Sequence, residues 1–323
     1  MSGDRGTTRQ GRGRRRSAGR DVDGILLLDK PTGITSNAAL QTAKRCFEAR
    51  KAGHTGSLDP LASGMLPLCF GQATKVSGML LDADKVYEVE AVVGAQTDTA
   101  DADGTVVAVA EKTALTESEL RAAMQTHIGT IEQVPPMYSA LKHQGRRLHE
   151  LARQGIEVER APRTVHIRAL ELLHFDPHRP RLRVHCSKGT YIRTLVETLA
   201  QAAGTLAHVG MLRRLWVEPF AGQPMVTLDA LQEGAGDPSR LDTLLLGADV
   251  ALARFPALRL NAALSAALCN GRPLEAAQLG AQPLAEEYCG LLRAYDPSGT
   301  FLGVAERLDD RRVVARRLFV AGA

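Results

Sequence analysis

GHTGSLDPLASGMLPLCFGQATK, residues 53–75, sets one carboxylate, Asp59, in a turn of small residues ahead of an apolar run. Gly53, Gly56 and Gly64 allow close backbone approach or positive φ, and Pro60 fixes φ just after the acid, limiting how Asp59 is aimed. Met65 to Phe70 is apolar, which places the acid at the rim of a buried element. An isolated Asp-Pro is ordinary surface-turn chemistry. A functional reading of Asp59 therefore has to come from its surroundings.

Outward from this turn the chain alternates strands and helices. Gly24 to Asp29 is an apolar strand ending in Lys30-Pro31, and Ser36 then reads as the N-cap of a helix with Leu40, Ala43, Cys46 and Phe47 on one stripe. Lys44, Arg45, Arg50 and Lys51 fall outside that stripe or at its C-terminal end, where the helix dipole favours cations. Val86 to Val93 alternates, putting Tyr87, Val89, Ala91 and Val93 opposite Glu88 and Glu90. Thr116 and Glu119 form a capping box before Leu120, Ala123, Met124, His127 and Ile128. Arg181 to Cys186 alternates again, and a helix follows with Ile192, Leu195, Val196 and Leu199 buried and Gly204 as its stop. Near residue 250 the pattern changes to short strands, LLRAYD, FLGVAERL and VVARRLFV, parted by Pro297-Ser298-Gly299 and Asp309-Asp310, with no long helical period.

At 323 residues, two domains are expected rather than one core. A chain 44% hydrophobic and 24% charged is ordinary for a globular protein. No apolar run approaches the roughly 18 residues needed to span a bilayer, and the charged N-terminus lacks the apolar stretch of a signal peptide. The five cysteines show no CxxC or Cys/His spacing, which suits buried thiols in a cytoplasmic protein without a metal. DTADADG at 98–104 lacks the ligand spacing and closing glutamate of an EF-hand.

Charge is unevenly distributed. The first 20 residues carry seven arginines (Arg5, Arg9, Arg12, Arg14, Arg15, Arg16, Arg20) against Asp4; removing that local +6 from the total of +4 leaves −2 for the rest. Any nucleic-acid surface on the remainder must be a patch. The tail has no large apolar residue after Met1 to build a core and is expected to be disordered, adding at most non-specific phosphate affinity. Lys142 to Arg153, with Lys142, His143, Arg146, Arg147, His149 and Arg153 around Leu148 and Leu151, reads on its own as a solvated basic helix.

The string around Asp59 closely resembles the catalytic motif of the bacterial tRNA pseudouridine-55 synthases, the TruB family of pseudouridine synthases. LLLDKPTGITSN (26–37), DKVYEVEAVVGAQTDTADADG (84–104), PPMYSALKHQGRRLHELARQGIEVERAPR (135–163), HCSKGTYIRTLVETLA (185–200) and VGMLRRL (209–215) read like the same family, in its order. Five separated matches in register are far more specific than one short pattern. The resemblance implies an α+β fold: a mixed, largely antiparallel central sheet with flanking helices, plus a small C-terminal PUA-like β-barrel. It divides the chain into a tail (1–20), a catalytic domain (21–250) with an RNA clamp at 135–163, and a C-terminal domain (251–323).

The implied activity is isomerisation of uridine 55 in the T loop of tRNA. The N1–C1′ bond breaks, the base turns, and C5 bonds to C1′; nothing is oxidised, so no cofactor and no metal are expected. The target must leave its stack and enter a flat apolar pocket. Carried over by motif, Asp59 is the catalytic aspartate, acting on sugar or base or removing the C2′ proton, the alternatives remaining open. Tyr87 stacks on the flipped base and helps remove the C5 proton, and Arg193 pairs with Asp59. His54 contacts or wedges into the opened loop, Tyr191 and Leu212 bind the substrate, Lys30 and Asp101 support the site, and Lys142, Arg146 and Arg147 belong to the clamp. The implied partner is the T arm of tRNA, for a monomer without an obligate protein partner or a membrane. Other readings are an RNA-binding or RNA-folding protein on the same scaffold, a guide-RNA-dependent relative, disfavoured by the clamp, and a glycoside hydrolase, which would need a second, acid carboxylate.

Overall fold

The computed structural model describes residues 19–280, 285 and 287–319. The arginine-rich tail expected to be disordered, apart from Arg20 and Gly19, lies outside the described residues. Elements run in the order β1 (Gly24–Lys30), α1 (Ser36–Cys46), β2 (Ala52–His54), β3 (Ser63–Phe70), α2 (Ser77–Leu81), β4 (Lys85–Val93), β5 (Ala95–Thr97) and β6 (Val106–Val109). There follow α3 (Glu117–Thr126), β7 (Gly129–Gln133), β8 (Lys142–His143), β9 (Arg146–Arg147), α4 (Leu148–Ala152), β10 (Arg163–His174), β11 (Arg181–Cys186), α5 (Ile192–Ala202) and β12 (Ala207–Val217). The chain closes with β13 (Val226–Thr227), α6 (Leu228–Glu233), α7 (Pro238–Asp242), β14 (Ala257–Arg259), α8 (Ala262–Cys269), β15 (Gly290–Tyr295), β16 (Phe301–Arg307) and β17 (Val313–Leu318).

Nine strands form the central sheet in the order β13-β1-β3-β12-β4-β11-β10-β7, with β2 on β3. β12 on β3 and β13 on β1 are parallel, and the other pairings are antiparallel. The sheet is thus the mixed, largely antiparallel one expected. β1 and β3 are apolar along their whole length because both faces are covered. Leu26, Leu28, Leu66 and Leu68 join the core under α1 and α5, whereas Ile25, Leu27, Met65 and Cys69 face a second cluster containing Phe220, Leu252 and Val304. Val304 lies on β16, so the C-terminal four-stranded sheet, β14-β15-β16-β17, shares a core with the central sheet. Lys75 donates to Leu318 O at 2.6 Å and the Tyr295 hydroxyl to Asp249 at 2.9 Å across the same junction.

The amphipathic elements lie where their periods put them. Tyr87, Val89, Ala91 and Val93 are all in the main core, the Thr116/Glu119 capping box is formed, and Gly204 ends α5 at φ +74. Four local expectations are corrected. Thr35, not Ser36, caps α1: its backbone is extended and its hydroxyl accepts from Ala38 N at 3.1 Å. α3 stops at Thr126, leaving Ile128 41% exposed. The clamp segment is a β8–β9 hairpin followed by one helical turn with Leu148 and Leu151 buried, because Gln144 and Gly145 both take positive φ and turn the chain back. α8 lies where no helix was expected; its sequence is apolar nearly all round and so carries no 3.6-residue stripe, and the Asn261 side chain caps it.

Candidate active site

Asp59 stands in the loop between β2 and β3, held from both sides. Behind it, the buried Ser36 hydroxyl donates to Leu58 O at 2.9 Å and accepts from Leu58 N at 2.7 Å. Ahead of it, Pro60 O accepts from Gly33 N at 2.8 Å and lies 3.5 Å from Lys30 Nζ. Lys30, fully buried, also donates to Pro31 O and Ile34 O, both at 2.7 Å, and so ties the loop after β1 to the loop that carries the acid. Burial lowers its pKa to about 8, Asp59 opposing and Arg214 adding to the fall. Gly56 and Gly64 have φ of +68 and +99; a Cβ on Gly64 would stand 2.1 Å from Arg214 O, so the close approach of β12 demands glycine there. Gly53 shows neither feature.

Arg193, in the first turn of α5, reaches Asp59 Oδ2 through Nε at 3.0 Å. The rest of its fork is committed: Nη1 donates to Thr99 O at 2.7 Å and lies 3.6 Å from Asp101, and Nη2 donates to Tyr138 O at 2.6 Å. A guanidinium only 4% exposed and fixed at four points is a rigid counter-ion. Asp101 is held in turn by the Thr99 hydroxyl at 2.6 Å and Asp103 N at 3.2 Å. Burial raises the Asp59 carboxyl above its ordinary value, Arg193 and Lys30 opposing and Asp101 and Asp103 adding to the rise. α5 is anchored at its start by buried Gln133, whose side-chain carbonyl accepts from Tyr191 N at 3.0 Å and whose amide donates to Tyr191 O at 3.3 Å.

Two cavities meet at Asp59. The first, about 300 Å³, is lined by Tyr87, Tyr191 and Leu212 together with Lys85, Arg193 and Arg214. The second, about 420 Å³, is lined by His54, Asp101, Tyr138, Arg147, His149 and Arg153. Asp59 and Arg193 belong to both. The structure thus brings together Asp59, Tyr87, Tyr191, Arg193 and Leu212 in one chamber, and His54, Asp101 and Arg147 in the other, with Lys30 bonded beneath the loop. Lys142 and Arg146 are exposed on the β8–β9 hairpin and line neither chamber.

His54 Nδ1 is buried without a partner among the described residues. Burial, Arg214 and Arg147 hold its pKa below the usual imidazole value, so the ring is neutral at pH 7. Burial raises the Tyr87 phenol, with Arg214 facing the hydroxyl and opposing. Cys69 and Cys186 are pushed up to about 12 by burial and are inert thiols. Among the described residues no group of three or more His, Cys, Asp or Glu is arranged to hold a metal ion, and no helix is long and apolar enough to cross a membrane.

Sequence reasoning missed Lys85, Arg214, Gln133 and the locking role of Ser36. Arg214 had a signal: on β12 it lies two residues beyond Leu212, hence on the same side of the strand, and it is 1% exposed. Lys85 stands in the same relation to Tyr87 on β4.

A family model described as TruB family pseudouridylate synthase (N terminal domain) matches residues 44–192; models described as tRNA pseudouridylate synthase B C-terminal domain and Pseudouridine synthase II TruB, C-terminal, match 193–253 and 256–319. The chain is 50% identical over 301 residues to tRNA pseudouridine synthase B of Stutzerimonas stutzeri, covering 93% of this chain and 96% of that one. It is 49% identical over 310 residues to the protein of the same name from Burkholderia mallei, covering 96% and 98%. Among solved structures it matches an archaeal box H/ACA sRNP Nop10–Cbf5 complex with a TM-score of 0.70 at 23% identity, covering 93% of this chain and 87% of that one, a likeness of fold.

Proposed function

The chain belongs to the TruB family of pseudouridine synthases, and from that premise we propose that it isomerises uridine 55 in the T loop of tRNA to pseudouridine. The observation that carries the reading is the position of Asp59: an arginine-paired carboxylate at the junction of a chamber walled by Tyr87, Tyr191 and Leu212 and a second that mixes Arg147 and Arg153 with Asp101 and Asp103. A uracil turned out of its stack fits the first chamber, against Tyr87, Tyr191 and Leu212. The loop it leaves faces the second, where Arg147 and Arg153 offer charge to phosphates and His54 offers an unpaired ring nitrogen.

Arg193 orients Asp59 and favours its ionised form, the form required to attack the sugar or the base or to take the C2′ proton. Detachment breaks N1–C1′, and reattachment joins C5 to C1′. The C5 proton is then lost, with the Tyr87 hydroxyl in the same chamber to help remove it. The overall change is an isomerisation and consumes no redox equivalent.

The same reading assigns residues 21–250 to catalysis, 135–163 to a clamp over the RNA carrying Lys142, Arg146 and Arg147, and 251–323 to more distant RNA. It makes the protein a cytoplasmic monomer whose partner is the T arm of tRNA. The test is Asp59→Asn, which keeps size but removes charge. Tritium release from C5-labelled uridine in T-loop RNA should be abolished, while filter-binding affinity stays within about tenfold, since phosphate contacts come from other residues. Retained release by the variant would eliminate Asp59 as the catalytic group, and no release by the unaltered protein would favour a binding protein on the same scaffold.

A further inference from the structure

Around the first chamber, buried positive charge exceeds what the protein pairs. Lys30, Lys85 and Arg214 are 0%, 7% and 1% exposed. Among the described residues none of the three has a carboxylate within 4.0 Å. Asp59 and Asp101 are engaged by Arg193. Asp82 and Asp84, the acids nearest Lys85, are committed to Lys188 at 2.7 Å and Arg168 at 3.0 Å. A buried, uncompensated cation is costly and persists where a ligand supplies the missing charge.

Lys30 is turned away, into carbonyls of its own loop. Lys85 and Arg214 instead line the chamber. Arg214 Nε donates to Met65 O at 2.7 Å and Nη2 to Gly56 O at 2.9 Å, which fixes the guanidinium. Lys85 donates to Leu81 O at 3.1 Å and to Ala83 O. Gly56, lacking a side chain, leaves Arg214 Nη1 open: a Cβ there would stand 3.5 Å from that nitrogen and 3.8 Å from Lys85 Cε. These two cations share a wall with Tyr87 and Leu212, where the flipped base is placed.

We propose that Arg214, aided by Lys85, holds the negative charge that the uracil ring carries while it is detached from the ribose. The inference rests on the function proposed above. When N1–C1′ breaks, its electron pair stays with the base and is shared among N1, O2 and O4. When C5–C1′ forms, that pair becomes the new bond, C5 loses its proton, and N1 takes one up, so the ring returns to neutrality with nothing oxidised or reduced. Whether Asp59 attacks C1′, attacks C6 or removes the C2′ proton, the ring bears a negative charge at some stage. Fixed donors aimed at developing charge are an established source of rate.

The test compares single-turnover rearrangement of T-arm RNA carrying uridine or 5-fluorouridine at the target, read as the C5–C1′-linked nucleoside after nuclease digestion, the fluorinated one keeping fluorine at C5 and adding water across N1 and C6 in place of losing a proton. Fluorine makes the ring a better anion in its own right, so protein charge matters less. Lys85→Met should slow the uridine reaction about 10²-fold and the fluorinated one about tenfold less than that, with the RNA dissociation constant little changed. Arg214→Lys, which keeps the charge, should retain more uridine activity than Arg214→Met. If the Arg214 variants fail to fold, Lys85→Met decides, because its ammonium bonds only two carbonyls. Equal losses on both substrates, or a loss confined to binding, would overturn the proposal. If the unaltered protein rearranges neither substrate, the synthase reading fails and this proposal, which rests on it, falls with it.

Discussion

Ser36→Ala separates the aim of the catalytic acid from its chemistry. The hydroxyl it removes both donates to Leu58 O and accepts from Leu58 N, at 2.9 and 2.7 Å, one residue before Asp59. Leu58 is 6% exposed, so both of its backbone groups lose their partner where water does not readily replace it. An unsatisfied buried group costs about 1–3 kcal/mol, so the two together cost about 2–6 kcal/mol. With an unfolding entropy of about 0.7 kcal/mol/K for 323 residues, that corresponds to a fall in Tm of roughly 3–9 °C. Activity should suffer separately, because a displacement of about 1 Å at a reacting group can cost about 10²-fold in rate. The assay is a thermal melt beside single-turnover tritium release at saturating enzyme and a temperature well below both melting points. Thr116→Ala is the control: it removes the α3 cap, worth about 1 kcal/mol, with Thr116 lining neither chamber. A Ser36→Ala protein that melts early yet turns over at the normal rate would refute the claim that this lock aims Asp59.

Further outcomes follow from the charges. Arg193→Gln removes the main influence lowering the Asp59 pKa, already raised by burial; chemistry needs the carboxylate, so the acid limb of the rate profile should move to higher pH, and an unmoved limb would show that Arg193 does not hold that charge. Lys85, which faces Arg214, Cys186, Asp84 and Asp82, has its pKa lowered to about 8, and Lys30 likewise. Above that pH the folded state sheds protons that the unfolded chain keeps until its lysines titrate near 10.5, so stability should rise with pH over this window while the chemical rate falls as the Lys85 ammonium is lost. Melting and single-turnover profiles that change in the same direction would contradict this. Deleting residues 1–18, which spares the 2.6 Å Arg20–Asp242 pair, should weaken RNA affinity at low salt and leave single-turnover chemistry unchanged; an equal loss of rate would give the tail a role in the site.

Elements whose side chains follow one period against one core are legible in the amino-acid order alone. The stripe of α5, the alternation of β4 and β11 and the capping box of α3 are local patterns, and local patterns are what a chain states outright. Asp59, Tyr87 and Arg193 stood out only through the resemblance of their motifs to those of the family, because local chemistry alone reads them as an ordinary turn, a core tyrosine and a surface cation. What those residues meet is set by long-range contacts. That Ser36 locks Leu58 rather than capping its helix depends on a loop 22 residues away. The strand cations Lys85 and Arg214 are buried because β4, β12 and the Asp59 loop close over them, which no single strand announces. The second face of β1 and β3 is likewise covered by residues near Leu252 and Val304, far along the chain. Periodicity records which face of an element is apolar, whereas the partner that covers that face, and the charge enclosed beneath it, are fixed by contacts distant in sequence and so exist only once the chain has folded.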